Sequence, residues 1–217
     1  MEREVCVMAS TKINNLIISR IEQFGTEDIF VASDFADIAD INTIRQVLSR
    51  QEQAGKIYRI IRGVYYYPAF SQLLNEYEAP SPHHVAMALA RKYGWTIAPS
   101  GNTALNQLGL SAQVSSKWSY ISDGPYNQFE FGTVELEFKH RSNKDISGLS
   151  YKTATVIQAL KALGKEHIDD NTISQLQKLL TSEEKTILLQ EAKQSTAWVY
   201  GFIKKICVKV GEDEKNS

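Results

Sequence analysis

Apolar positions recur at helical spacing from the start of the chain. Ile13, Leu16, Ile17 and Ile21 predict one buried face, with Ser10 or Thr11 as the cap and Gly25 as the stop. Ile29-Phe30-Val31 is a short β-prone run. Ser33 or Asp34 then caps a short second helix that turns Phe35 and Ile38 inward. Asp40 or Asn42 caps a third helix over 42–54, with Ile44, Val47, Leu48 and Ala54 as its apolar stripe and Gly55 as its end. From Lys56 to Tyr67 the period becomes that of a strand pair rich in Ile, Val and Tyr. Gly63 supplies the positive φ of a tight turn, and Pro68, which cannot donate to a ladder, closes the second strand. Helix, short strand, helix, helix and hairpin is the layout of a winged helix-turn-helix. Its reading helix would be 42–54 and its wing the hairpin.

Pro80 and Pro82 disfavour helix in the segment that follows. The predicted division is therefore a tail over 1–9, a winged domain over 10–69, a linker over 70–81, an α+β domain over 82–210 and a flexible tail over 211–217. In the second domain, Pro82 opens a helix that Gly94 closes. Thr96-Ile97-Ala98 is a brief strand, and PSGNTALNQLGLS (99–111) turns into a helix ended by Gly109. Lys117 to Ser122 is a strand, Asp123-Gly124-Pro125 a turn, and FEFGTVELEFKH (129–140) a hairpin about Gly132-Thr133. Helices follow over 151–163, closed by Gly164, and over 172–180, and Ser182 caps one long helix to about Cys207 that carries Leu188, Ala192, Thr196, Val199 and Ile203 inward. The fold class read from this order is α+β: a winged helix-turn-helix followed by a mixed α+β domain.

Composition adds bounds rather than a function. The 217 residues are 43% hydrophobic and 23% charged, as in globular proteins, and no apolar run is long enough for a membrane span. The first ten residues mix acid and base and do not read as a secretory signal, so a cytoplasmic location is expected. Cys6 and Cys207 read as two free thiols, and His83, His84, His140 and His167 show no metal-binding spacing. No cofactor or metal is expected. Net charge is −1, but its distribution is uneven: residues 11–40 hold two basic against six acidic side chains, and residues 41–70 five basic against one. A local basic segment fits a polyanion site.

Several residues can carry chemistry. Thr43, Arg45, Gln46, Ser49 and Arg50 form the polar face of the 42–54 helix. Arginine can read guanine, glutamine adenine, and the hydroxyls can reach phosphates or bases. A solvated amphipathic face is the plainer alternative. Arg59 and Arg62 flank the turn with Gly63. On a continuous strand they would point to opposite faces, so they meet one backbone only if the turn begins near Ile61. Tyr65, Tyr66 and Tyr67 read as packing. Asp123 with Glu137 and Lys139 echoes the acid and (D/E)-x-K pattern of magnesium-dependent nucleases. Turn chemistry at Asp123 and an outward strand face for Glu135, Glu137 and Lys139 explain the same residues.

In order and spacing the segments AGKIYRIIRGVYYYP, IAPSGNTALNQLGLSAQV, YISDGP, VELEFKH and VIQALKALGKEHI resemble the AbiEi antitoxins of type IV toxin–antitoxin, abortive-infection systems. The resemblance implies a repressor whose winged helix binds inverted repeats at its own promoter. It also implies a second domain that opposes a nucleotidyltransferase-like toxin without a stable complex, and it gives no residue a catalytic role. DNA contact would fall to the 42–54 face and the 59–63 tip. The alternatives are a stand-alone winged-helix regulator with a ligand- or partner-binding second domain and, behind it, the nuclease.

Overall fold

The structure, a computed structural model, describes residues 2–25, 28–73, 75–113, 115–141, 146 and 148–208, with side chains from residue 11 onward. The chain forms two compact units, Met1–Trp95 with Phe129–Val134, and Thr96–Gln128 with Glu135–Ser217.

The first unit opens with helix α1 (Glu2–Gln23). It begins well before Ser10 and Thr11, so neither is its cap, and the predicted tail is helical from Glu2. Glu, Arg, Met and Ala in that stretch are strong helix formers. Ile17 and Ile21 are buried, whereas Leu16, about 100° round the helix from Ile17, is left exposed. β1 (Ile29–Val31) is buried throughout. The predicted second helix is only one 3-10 turn, Ala32–Phe35. Asp34 turns its carboxylate back to accept from the Val31 N–H at 2.9 Å, and few residues remain before the next cap. Phe35 is fully buried, edge-on to Phe24 and Phe30 at 5.9 and 5.8 Å.

Helix α2 (Ile41–Gln53) follows. Of the two candidate caps the chain uses Asp40, whose Oδ1 accepts from the Asn42 and Thr43 N–H groups at 3.0 and 3.1 Å. β2 (Tyr58–Ile61) and β3 (Val64–Tyr66) make the wing, and β1 pairs antiparallel with β3 to give the order β1-β3-β2. Ile17, Phe30, Phe35, Ile44, Leu48 and Ile57 form the core between helices and sheet. A Phe35→Ala cavity in such a core costs about 3–5 kcal/mol. The order is that of the winged helix-turn-helix, with the 3-10 turn standing where its middle helix was expected.

The 70–81 segment contains a small ribbon, β4 (Phe70–Ser71) and β5 (Glu76–Tyr77). Helix α3 (Pro82–Tyr93) starts at Pro82 and ends at Gly94 in the left-handed region, both as expected. It packs on β1, β3 and the 3-10 turn. Compactness therefore divides the chain after Trp95, whereas the sequence reading begins its second domain at residue 82.

The second unit carries β6 (Ile97–Pro99), β7 (Lys117–Ser122) and most of β9 (Val134–His140). With β8 (Asn127–Phe131) these form a sheet in the order β6-β7-β9-β8. β6 is antiparallel to β7, and β7 is parallel to β9. Helix α4 (Asn102–Gln107) and helices α5 (Tyr151–Leu163), α6 (Asp170–Leu179), α7 (Ser182–Glu191) and α8 (Ala197–Cys207) complete it around Leu105, Leu160, Leu176, Leu188 and Ile203. The predicted long last helix is thus two. Ser195 is extended (φ −71°, ψ 168°), its hydroxyl donates to the Ala192 carbonyl at 2.6 Å, and Thr196 is exposed at the break. Thr181 rather than Ser182 caps α7, in a reciprocal box with Glu184. The predicted tail over 211–217 lies outside the described residues, as does the side chain of Cys6. Among the described residues no helix is long and apolar enough to cross a membrane.

Candidate nucleic-acid interface

The predicted reading face is presented as a unit. At about 100° per residue, Arg45, Ser49, Gln46, Arg50 and Thr43 share an arc of roughly 160°. Ile44, Val47, Leu48 and Gln51 take the opposite, buried side. Arg45, Gln46 and Arg50 are exposed and Ser49 is half-buried. The Thr43 hydroxyl is engaged locally, donating to Asp40 Oδ2 at 2.6 Å.

The wing resolves the question of facing. Tyr58 pairs with Tyr66 and Arg59 with Tyr65, but Ile61 pairs with Val64, so the register slips between Arg59 and Ile61. The reason lies in the turn. Gly63 has φ +75°, while Asn75 is the one non-glycine among the described residues with positive φ, so Arg62 does not share it. A two-residue turn of the doubly left-handed kind is therefore absent, and the strand takes up the misfit as an irregularity. The slip brings Arg59 and Arg62 onto the same side.

That side is a cleft of about 540 Å³. Arg45 enters it from α2, Arg59 and Arg62 from the wing, and Lys92 from the last turn of α3, with Ser33, Tyr65 and Tyr93 completing the walls. Only Ile41 and Arg45 of α2 line it, so Gln46, Ser49 and Arg50 form a separate, open face beside it. Arg59 is also paired with Glu52 at 3.1 Å. Burial pushes the Tyr65 hydroxyl up from its ordinary value, with the Glu52 charge adding to it, so this tyrosine is a neutral wall. Lys92 Nζ donates to the Arg62 carbonyl and lies 4.8 Å from the Tyr93 ring centroid. That Lys92 and Tyr93 line this cleft was not legible in the sequence, because nothing local ties a helix after the proline segment to the wing.

The acidic stretch before α2 is largely engaged in structure. Asp28 accepts from the Gly25 N–H at 2.7 Å, Asp34 is paired with Arg91 at 3.1 Å, Asp37 with Arg20, and Asp40 caps α2. Hydrogen bonding from Arg20 holds the Asp37 carboxyl below its ordinary value, and bonding from Thr43 does the same for Asp40.

The nuclease pattern is not brought together. Glu137 lies opposite Ser119, and Asp123 is four residues further along, about 13 Å at strand rise. Asp123 accepts from the Thr96 N–H at 2.8 Å. Glu137, expected on an outward face, is only 6% exposed. It meets Lys139 at 3.1 Å and Lys117 at 3.4 Å, accepts from Ser119 Oγ at 3.1 Å, and from the Tyr126 hydroxyl at 3.2 Å. Burial of His83, and then the neighbouring His84, lowers its imidazole pKa. Among the described residues no group of three or more His, Cys, Asp or Glu is arranged to hold a metal ion.

The first unit thus has a winged-helix layout with a cationic cleft walled by α2, the wing and the end of α3. The chain belongs to the DUF6088 family, described as a family of unknown function, whose model matches residues 12–188. No curated protein matches it in sequence. Among solved structures it is similar to the crystal structure of RV2827C protein from Mycobacterium tuberculosis. That similarity is at 10% identity and a TM-score of 0.39, covering 92% of this chain and 75% of that one.

Proposed function

We propose that the protein is a DNA-binding repressor of its own operon and the antitoxin of a type IV toxin–antitoxin pair. The observation that carries the DNA-binding half is the cleft, where Arg45, Arg59, Arg62 and Lys92 converge from three elements. Glu52 offsets Arg59 alone, so the cleft keeps a net positive charge that favours entry of a polyanion. The open face of Gln46, Ser49 and Arg50 stands beside it, so backbone positioning and base reading are divided between two surfaces. The antitoxin half rests on the likeness of the chain's segments to AbiEi antitoxins. Its partners would be operator DNA with inverted repeats and a nucleotidyltransferase-like toxin that it opposes without a stable complex.

The test has two arms. Purified protein titrated against a labelled duplex from its own upstream region should bind it more tightly than a shuffled duplex of equal length. Equal binding to both would remove the repressor reading. Co-expression with a neighbouring nucleotidyltransferase-like reading frame should relieve growth arrest. Persistent arrest, or the absence of such a frame, would remove the antitoxin reading and leave a stand-alone regulator.

A further inference from the structure

We propose that the DNA-contacting surface extends beyond the winged motif onto the end of α3, where Lys92 is both a phosphate ligand and the residue that sets the wing tip. The inference rests on the DNA-binding reading above. Lys92 sits in the last turn of α3, where a cation suits the helix dipole. Yet it faces a cleft that already holds Arg45, Arg59 and Arg62. Glu52 offsets Arg59 alone, so a fourth cation there adds net positive charge that a phosphodiester in the groove would offset.

Its position is built. The preceding residue, Arg91, anchors the helix end by donating to the Ile29 carbonyl at 2.7 Å and to Asp34 Oδ1 at 3.1 Å. Lys92 then reaches across to the Arg62 carbonyl, and an ammonium has three protons to donate, so that bond leaves capacity for a phosphate oxygen. A Cβ on Gly63 would lie 3.4 Å from both Lys92 Cε and Nζ, so the lysine stem passes close over the turn.

The experiment uses full-length protein and one duplex from the upstream region, with affinity measured by anisotropy across a salt series. Each phosphate contact contributes a slope of about −0.9 in log K against log salt. Lys92→Met should flatten the slope by about one unit on specific and unrelated duplexes alike, while Lys92→Arg should keep it. An unchanged slope for a folded Lys92→Met would overturn the inference, as would lower affinity at the wild-type slope, which marks a merely structural role. Amine labelling of wild-type protein read by mass spectrometry does not depend on the variants folding. Lys92 should be protected by bound duplex while exposed Lys178 is not. Equal labelling of Lys92 with and without DNA would contradict the proposal. If wild type binds no duplex at all, the DNA-binding reading fails and this inference falls with it.

Discussion

Gly63 makes the wing's turn with a φ of +75°, and the Lys92 stem passes close over it. Gly63→Ala should therefore destabilise the protein by about 1–2 kcal/mol, from left-handed backbone strain alone. A urea titration would read this, and DNA affinity should fall with it. Glu137 makes a different prediction in the other unit. Burial pushes its carboxyl up, but hydrogen bonds from Lys139 and Ser119 and the charges of Lys139 and Lys117 outweigh burial and hold it below its ordinary value. A depressed folded-state pKa means that its stabilisation is complete above the unfolded-state value and is lost as pH falls through the folded one. Glu137→Gln should cost about 1.5–3 kcal/mol near neutrality, the worth of charged hydrogen bonds. It should also lose less stability than wild type in the acid range. Parallel acid limbs for the two proteins would show that the network contributes no pH dependence.

At the scale of elements, α2 depends on its first turn. Asp40→Ala removes the cap that receives two N–H groups and the Thr43 hydroxyl, and should cost about 1 kcal/mol of stability. The same change frees Thr43 and removes a carboxylate beside the proposed DNA surface, so DNA affinity should not fall in proportion. Replacing Gln46 should change which operator bases matter while leaving the salt slope intact, since it stands outside the cleft. A mutant with unaltered base preference in a randomised-site selection would exclude Gln46 as a reader. The elements best read from sequence were those with local punctuation: Asp40 before α2, Pro82 and Gly94 around α3, and Gly164 after α5. Those misread were set by competition among nearby groups. Asp34 returns to Val31 instead of starting a full helix, and Ser195 ends a run whose apolar periodicity continues through it.

For the whole molecule, the order of the winged motif was legible because α1, β1, α2 and the wing each carry their own signal, even though the element between β1 and α2 is a 3-10 turn. The extent of its unit was not, because α3 joins it through packing on β1 and a pair between Arg91 and Asp34, residues 57 apart in the chain. The same distance hid Lys92. Arg59 and Arg62 could be named from sequence, but their common facing needed the register slip, which no local pattern announces. If the basic cleft is where the phosphate backbone lies, the most direct measurement is the salt dependence of binding to the upstream duplex by full-length wild type and by the Arg59→Ala, Arg62→Ala double mutant. The wild type should bind with a steep negative slope of log K against log salt. The double mutant should bind all duplexes more weakly by a similar factor, with a slope flatter by about two units. Unchanged affinity and slope in a folded double mutant would contradict the account.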